Sequence, residues 1–549
     1  MPDLKTGTMN DDYAGAGQNP RTPDPANHDQ QSEPDTPAPT DPDAASGPDP
    51  KEDAASPIES STPPSQVDVL IDIANGKCEL FRDDTDTPYA RLDSGIAVAI
   101  EGKLFSRWLQ FEYRRFAGRT SLPTNLKRAV DEIAATARFD GPTRRVHLRV
   151  AETEDGIALH LGGDDATAAL VSASGTTLGR APVDFEKRRQ MDVLPRPALP
   201  GALQTLAPLL NFGSDANLKL IIAWLLMAIK PTGPKPILIL QGPPGSAKST
   251  VSEVLKYLID PGTPLLRTLP RSERDLAVAG SSHWILAFDN ASWVSEEMSN
   301  ALCRLSTGAG FGARTLYSDA EETVFEHMRP VILNGLDALA TRQDLLDRAI
   351  VIRLPEISRH AGTRVPKDIL WARVEQLRPL ILGGLLEAAQ AATANQGKVK
   401  IDKLPRMADF TLWVAGAEEK LGWPSGSFLA AFEENQGDAL KASLEGSLLA
   451  EAILKTLDPN AKEIVELEGQ PADVLGLLTA RTHLDASNRK SWPKNAQAMS
   501  KQLTLLAPAL SEFGVVVENS HVGRGQEKRR WLSIKRVDAV EVTSEENGS

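Results

Sequence analysis

The feature that most constrains this chain is a strand, a glycine-rich loop and a helix in direct succession. Pro236-Ile-Leu-Ile-Leu240 reads as a buried strand, and Gln241-Gly-Pro-Pro-Gly-Ser-Ala-Lys-Ser-Thr250 leads into the helical pattern Val251–Ile259. Gly242 and Gly245 let the backbone curl so that successive N–H groups converge, and the helix start adds the positive end of its dipole. The loop Gly242, Pro243, Pro244, Gly245, Ser246, Ala247, Lys248, Ser249 and Thr250 is therefore expected to cradle the phosphates of ATP. Lys248 would reach the β- and γ-phosphate oxygens, and the Ser249 hydroxyl would ligate Mg²⁺. Ala247 stands where a glycine usually precedes the lysine.

A phosphate loop needs a nearby acidic residue to hold the metal through water. Trp284-Ile-Leu-Ala-Phe-Asp289 ends a second strand-like run on Asp289, which is read as the second metal-site residue. The next position, often a glutamate that activates water, is Asn290, and an amide cannot take a proton. Glu296 and Glu297 are the next carboxylates along the sequence. A third run, Arg329-Pro-Val-Ile-Leu-Asn334, puts Asn334 at a strand's carboxyl end, where ligands of open parallel sheets sit. Asn334 is a candidate sensor of the γ-phosphate or the attacking water, although Asn-Gly is equally a turn signal. Arg348, just before the run Ala349–Leu354, is a candidate to act on a neighbouring subunit's nucleotide; the alternative is a surface arginine paired with Asp344 or Asp347.

The order of these elements resembles superfamily 3 helicases within the AAA+ class, especially the poxvirus-type primase–helicase branch. Between Asp289 and Asn334 lies Ser306-Thr-Gly-Ala-Gly-Phe-Gly-Ala-Arg-Thr-Leu-Tyr317, similar to that branch's Thr-Gly-Gly…Arg…Tyr segment, and Arg348–Ile352 looks like its arginine-finger strand. From about 67 to 536 the chain also looks like a family of phage- and integrative-element ATP-binding proteins. The resemblance implies an α/β P-loop NTPase with an AAA+/superfamily 3-like core, working as a hexameric ring beside a primase or other replication protein. In such rings the region matching Arg314–Phe325 carries basic DNA contacts. Here its tip is Ser-Asp-Ala-Glu-Glu, which repels phosphate and leaves Arg304 and Arg314 as candidates.

The rest of the chain divides by composition. Residues 1–66 hold 13 Asp/Glu against 3 Lys/Arg and 13 of the 39 prolines, and are expected to form a disordered acidic leader. Residues 67–200 mix helical spacing (Phe105–Phe116, Leu126–Ala137) with strand runs (Arg145–Ala151, Ile157–Leu161), an α+β domain. A Pro-rich joint, 194–201, leads to the α/β core at 202–365 and a helical lid or linker at 366–445. Residues 447–537 read as a helix-rich segment ending in two strands, Gly514–Asn519 and Arg529–Ile534, a winged-helix-like DNA-binding domain before a disordered tail at 538–549. Within 487–536 ten Lys/Arg face three Asp/Glu; Lys501, Arg524, Lys528, Arg529 and Arg530 are the candidate DNA contacts, against the alternative of a solvated or protein-docking face. The most apolar run, Leu218–Ile229, is too short to span a membrane and reads as a buried helix. Two separate cysteines, Cys78 and Cys303, suit a reducing cytoplasm.

These readings converge on an ATP-driven DNA helicase or translocase of a mobile element, with a non-helicase AAA+ switch or loader as the alternative. A fused primase is disfavoured: Asp68 and Asp72 are four apart, whereas that module carries Asp-x-Asp on a strand.

Overall fold

The structure is a computed structural model that describes residues 64–314, 322–325, 327–335, 342–357, 365–445, 447–458, 466–482, 492–522 and 529–537. The leader and tail expected at the two ends lie outside these, apart from the leader's last residues.

The first described element is α1 (Gln66–Lys77), closed at its start by a capping box between Ser65 and Asp68. Asp68 and Asp72 thus sit on a helix, and Asp68 is committed to the cap, which removes the strand setting that polymerase carboxylates need. There follow β1 (Cys78–Arg82), β2 (Pro88–Leu92), β3 (Ile96–Ala99), α2 (Lys103–Ala117), α3 (Pro123–Phe139), β4 (Val146–His147), β5 (Val150–Thr153), β6 (Gly156–His160), β7 (Thr167–Ser172), β8 (Gly175–Arg180) and β9 (Asp184–Glu186). They form a five-stranded sheet in the order β1-β2-β3-β9-β4 and an antiparallel sheet β5-β6-β7-β8. The run expected as one strand, Arg145–Ala151, is divided between the two sheets. The break falls at Leu148-Arg149, where the guanidinium of Arg149 turns into the interior.

The Pro-rich joint is tied down. Before the 3₁₀ turn Leu203–Leu209, Ala198 N–H and Ala202 N–H donate to Pro379 O and Leu380 O of a long helix, α9 below. A Cβ at Gly383 would lie 1.8 Å from Ala198 O, so only glycine permits this approach.

The centre is built from α4 (Asp215–Ala228), β10 (Ile237–Gln241), α5 (Lys248–Ile259), β11 (Arg267–Thr268), α6 (Glu273–Ser282), β12 (Leu286–Ala291), α7 (Glu296–Thr307), β13 (Phe311–Arg314), β14 (Glu322–Phe325), β15 (Val331–Gly335), α8 (Gln343–Leu346) and β16 (Ala349–Arg353). Five of these strands make an all-parallel sheet, β11-β12-β15-β10-β16. Their apolar runs are continuous because both faces are covered. Leu238, Leu240, Ile350 and Ile352 pack on the side of α4, α5 and α9, while Ile237, Ile239, Leu333 and Val351 pack on that of α6 and α7. Truncating one of these fully buried side chains to alanine costs about 2–5 kcal/mol. The apolar run at 218–229 is the buried helix α4, as its length required, and among the described residues no helix is long and apolar enough to cross a membrane. β13 and β14 pair antiparallel with Arg314 opposite Glu322; the tip between them lies outside the described residues.

α9 (Lys367–Ala394), α10 (Ala408–Ala415) and α11 (Ser427–Glu445) extend the core, and α12 (Leu448–Thr456), β17 (Glu466–Gly469), α13 (Pro471–Arg481), α14 (Ala496–Glu512), β18 (Val515–Val522) and β19 (Arg529–Arg536) complete the chain. The last sheet is antiparallel with β19 central, in the order β17-β19-β18. The strand β17 was not expected. Glu-Leu-Glu-Gly has little strand propensity of its own, and pairing with β19 supplies what it lacks.

Candidate functional site

The chain reverses at the carboxyl end of β10 through a loop whose backbone explains its residues. Gly242 has φ +148°, and a Cβ there would lie 2.4 Å from Leu354 O; Gly245 has φ +88°. Ala247 is itself left-handed, with φ +66° and ψ +27°. The turn thus places Ala247 where a non-glycine residue is strained by about 1–2 kcal/mol, which accounts for the glycine usual at this position. Lys248, Ser249 and Thr250 form the first turn of α5, whose N–H groups have no partner inside the helix. Lys248 Nζ lies over the loop, donating to Gly242 O at 2.6 Å and Pro243 O at 3.0 Å. Pro243, Pro244, Gly245 and Ser249 face solvent, and Ser246 is buried.

Asp289 comes from β12, two strands away from β10, and still meets the loop. Ser249 Oγ donates to Asp289 Oδ1 at 2.7 Å, so the two residues expected to share a metal are in contact. Their hydroxyl and carboxylate oxygens are hard donors of the kind Mg²⁺ takes alongside water and phosphate.

Asn334 lies between them on β15, opposite Leu240 of β10, and is 1% exposed. Its Oδ1 accepts from Asn290 N–H at 3.0 Å, and its Nδ2 donates to Ser252 Oγ at 2.8 Å. Ser252 in turn donates to Lys248 O at 3.0 Å. Asn334 therefore braces the loop helix against the strand of Asp289. Ser252 is a site residue that sequence reasoning missed; its position one helical turn after Lys248 was the available signal.

The exposed Asn290 has φ +52° inside a register shift between Phe288 and Ala291, a β-bulge that re-aims the side chain. Asparagine tolerates this left-handed backbone better than glutamate, which is a physical reason for its presence. Of the nearby carboxylates, Glu296 pairs with Arg342 at 3.0 Å, and Glu297 is exposed on α7.

Arg348 precedes β16, whose Ala349 pairs with Ile237 at the amino end of β10. The loop leaves from the other end of β10, roughly 13 Å away at about 3.3 Å per residue. Arg348 donates to Asp344 O at 2.7 Å, so it meets the backbone of Asp344 rather than its carboxylate, and Asp347 pairs with Arg406. The arginine beside the chain's own loop is Arg353, exposed and in register with Gln241. Sequence reasoning passed over it.

Behind the site is a buried charge cluster. Asp260, at the end of α5, accepts from Lys256 Nζ at 3.0 Å, from Trp284 and Ile285 N–H, and from Arg149 Nε at 3.3 Å. Burial opposes ionisation of Asp260, but the two cations and the Ile285 N–H outweigh it and hold the carboxyl below the usual range. Arg149 belongs to the N-terminal sheets, so the cluster joins them to the core.

The candidate DNA contacts are spread over the last sheet and α14. Lys501, Arg529 and Arg530 are exposed, while Arg524 and Lys528 lie outside the described residues. The face is less basic than the sequence count implies, because β17 brings Glu466 and Glu468 beside β19. Lys535 also pairs with Glu518 at 3.2 Å. Arg304 pairs with Glu273 at 2.6 Å.

The fold defines an α/β protein whose candidate site lies at the carboxyl edge of a parallel sheet. The description of the actinomycete integrative conjugative element replication protein matches residues 203–432, and that of the same protein's C-terminal domain matches residues 449–545. Together they span more than half of the chain, which belongs to this replication protein family. No curated protein matches in sequence. Among solved structures, the apo C-terminal region of NrS-1 is similar at 12% identity and a TM-score of 0.36, over 84% of this chain and 98% of that one. SCCmec type IV Cch, an active helicase, is similar at 12% identity and a TM-score of 0.39, over 83% and 93%. At such scores the two likenesses add nothing to the geometry above.

Proposed function

We propose that this replication protein is a P-loop ATPase of the AAA+/superfamily 3 type that drives a DNA helicase or translocase in the replication of its element. The observation that carries the reading is the convergence of Lys248, Ser249, Asp289 and Asn334 on one edge of a parallel sheet: Ser249 bonds Asp289 directly, and Asn334 is tied to the strand of Asp289 through Asn290 N–H and to Lys248 O through Ser252. Lys248 and the first-turn N–H groups of α5 would hold the β- and γ-phosphates, and Ser249 and Asp289 would hold Mg²⁺. Asn334 would orient Asn290 and the attacking water. Bound Mg²⁺ would supply charge neutralisation between the phosphates.

Arg348 is too far from its own loop to act there, which supports a role on a neighbouring subunit in a ring, a hexamer in this reading. The domain division is a leader, an N-terminal α+β domain, the ATPase core, a helical lid and a winged-helix domain. The last assignment is supported by the succession α12, β17, α13, α14, β18, β19, which leaves α14 and the exposed Arg529 and Arg530 for DNA. A primase or another replication protein is the expected companion.

The deciding experiment is ATP hydrolysis by the full chain with and without single-stranded DNA, beside Lys248→Ala. Stimulation by DNA that the variant loses supports the motor. Hydrolysis indifferent to DNA favours the second reading, a DNA-associated switch or loader, which draws on the absence of a carboxylate at Asn290.

A further inference from the structure

The N-terminal domain has no part in the site described, yet one of its helices is built unlike a structural surface. Helix α2 buries Phe105, Leu109, Glu112 and Tyr113 against the domain. Its other face is exposed and carries Arg107, Phe111, Arg114 and Arg115, with Phe116 and Arg119 exposed at its end. Phe111 is 58% and Phe116 72% exposed, a solvation cost that folding alone does not explain. The helix's one carboxylate, Glu112, is turned inward and bound by Lys77 and by Arg115, the latter at 3.4 Å. Among the described residues Arg107, Arg114 and Arg119 have no carboxylate partner, and the Arg115 guanidinium lies over the Phe111 ring, 5.8 Å from its centre. Arg107 to Arg115 spans about 12 Å at 1.5 Å per residue.

An apolar face without charge would suit a protein partner, and a basic face without rings would suit any polyanion. Aromatic rings interleaved with free guanidinium groups suit a polymer with both flat faces and phosphates, whose bases are unpaired and can stack. We infer that this face of α2, together with the exposed end of the helix, is a binding surface for single-stranded DNA, with Phe111 on the face and Phe116 at the end stacking on bases and Arg107, Arg114 and Arg119 neutralising phosphates. It rests on the DNA half of the proposed function and not on ATP hydrolysis. It would hold the strand at a point separate from the ATPase edge and from β19.

The test is fluorescence anisotropy of a labelled 20-nucleotide oligo-dT with the full chain, without nucleotide, across a salt series. Arg107→Ala/Arg114→Ala/Arg119→Ala should bind at least tenfold more weakly, with the slope of log affinity against log salt shallower by roughly 2 for three phosphates. Phe111→Ala/Phe116→Ala should also bind at least tenfold more weakly with the slope unchanged, since stacking releases no counterions. Circular dichroism checks that both variants remain folded. Wild-type affinity in both, or no binding by the wild-type chain, overturns the inference. Loss in the arginine variant alone, with polyglutamate competing as well as oligo-dT, assigns the face to an acidic polypeptide and also overturns it. Hydrolysis measured on the same samples separates the two proposals: normal turnover with unaltered DNA binding sinks this one alone, and absent turnover with the expected losses sinks only the motor.

Discussion

Asn334 Oδ1 accepts the backbone N–H of Asn290 at 3.0 Å, joining the strand that carries Asp289 to the strand beside β10 and its glycine-rich loop. Removing that side chain leaves Asn290 N–H without its partner and Ser252 Oγ with only its bond to Lys248 O. Asn334→Ala should lose about 1–3 kcal/mol of stability. It should also reduce hydrolysis more than nucleotide binding. Chemical denaturation and turnover with a fluorescent nucleotide titration check both. Unchanged turnover in a destabilised protein would reduce Asn334 to a structural brace.

Arg348 sits at the far end of β10 from its own loop, so its effect should appear only between subunits. Arg348→Ala should bind ATP normally and lose about 10³–10⁵ in turnover. Mixed with Lys248→Ala it should recover part of the activity, because each mixed interface can combine an intact loop with an intact arginine. No recovery on mixing would argue against action in trans.

Ser249 and Asp289 share a hydrogen bond at 2.7 Å, and their oxygens are the proposed Mg²⁺ partners. Asp289→Asn should lose most hydrolysis and raise the Mg²⁺ concentration needed for what remains. A magnesium titration of turnover in wild type and variant measures it; equal midpoints would remove Asp289 from the metal site.

Arg149 and Asp260 meet with both side chains buried, so breaking the pair strands a charge. Asp260→Asn should cost about 3–5 kcal/mol, read by denaturant unfolding. Because its folded pKa lies below the unfolded value of about 3.9, the ionised pair stabilises at higher pH, and that contribution is lost only as pH falls below about 4.

His160 and His283 act at milder pH. Burial lowers each to about 4, and His160 is stacked on Phe185 with its Nδ1 unpartnered. The unfolded chain takes up a proton near pH 6.5 that the folded chain refuses until about 4. Stability is therefore full above 6.5 and falls between 6.5 and 4, by up to about 3 kcal/mol for His160. The melting temperature of wild type against His160→Gln across that range checks it; parallel curves would exclude His160.

Local chemistry made the strand, glycine-rich loop and helix legible. Two glycines, Lys248-Ser249, a preceding apolar strand and a following helix are all encoded within about 25 residues. The same holds for β12 and β15, whose apolar runs end on Asp289 and Asn334, and for α4, whose run of 218–229 is apolar but for Lys219. The tertiary structure decided which distant residues meet. No periodicity relates Asn334 to Ser252, 82 positions apart, or Arg149 to Asp260, 111 apart; strand order and helix packing bring each pair together. The same is true of Glu466 and Glu468, which dilute a basic face that looks clean in sequence, because β17 forms only by pairing with β19. Sequence determines what a segment can be over the range of a helix turn or a strand. Which surfaces it then faces depends on burying apolar area across the whole chain.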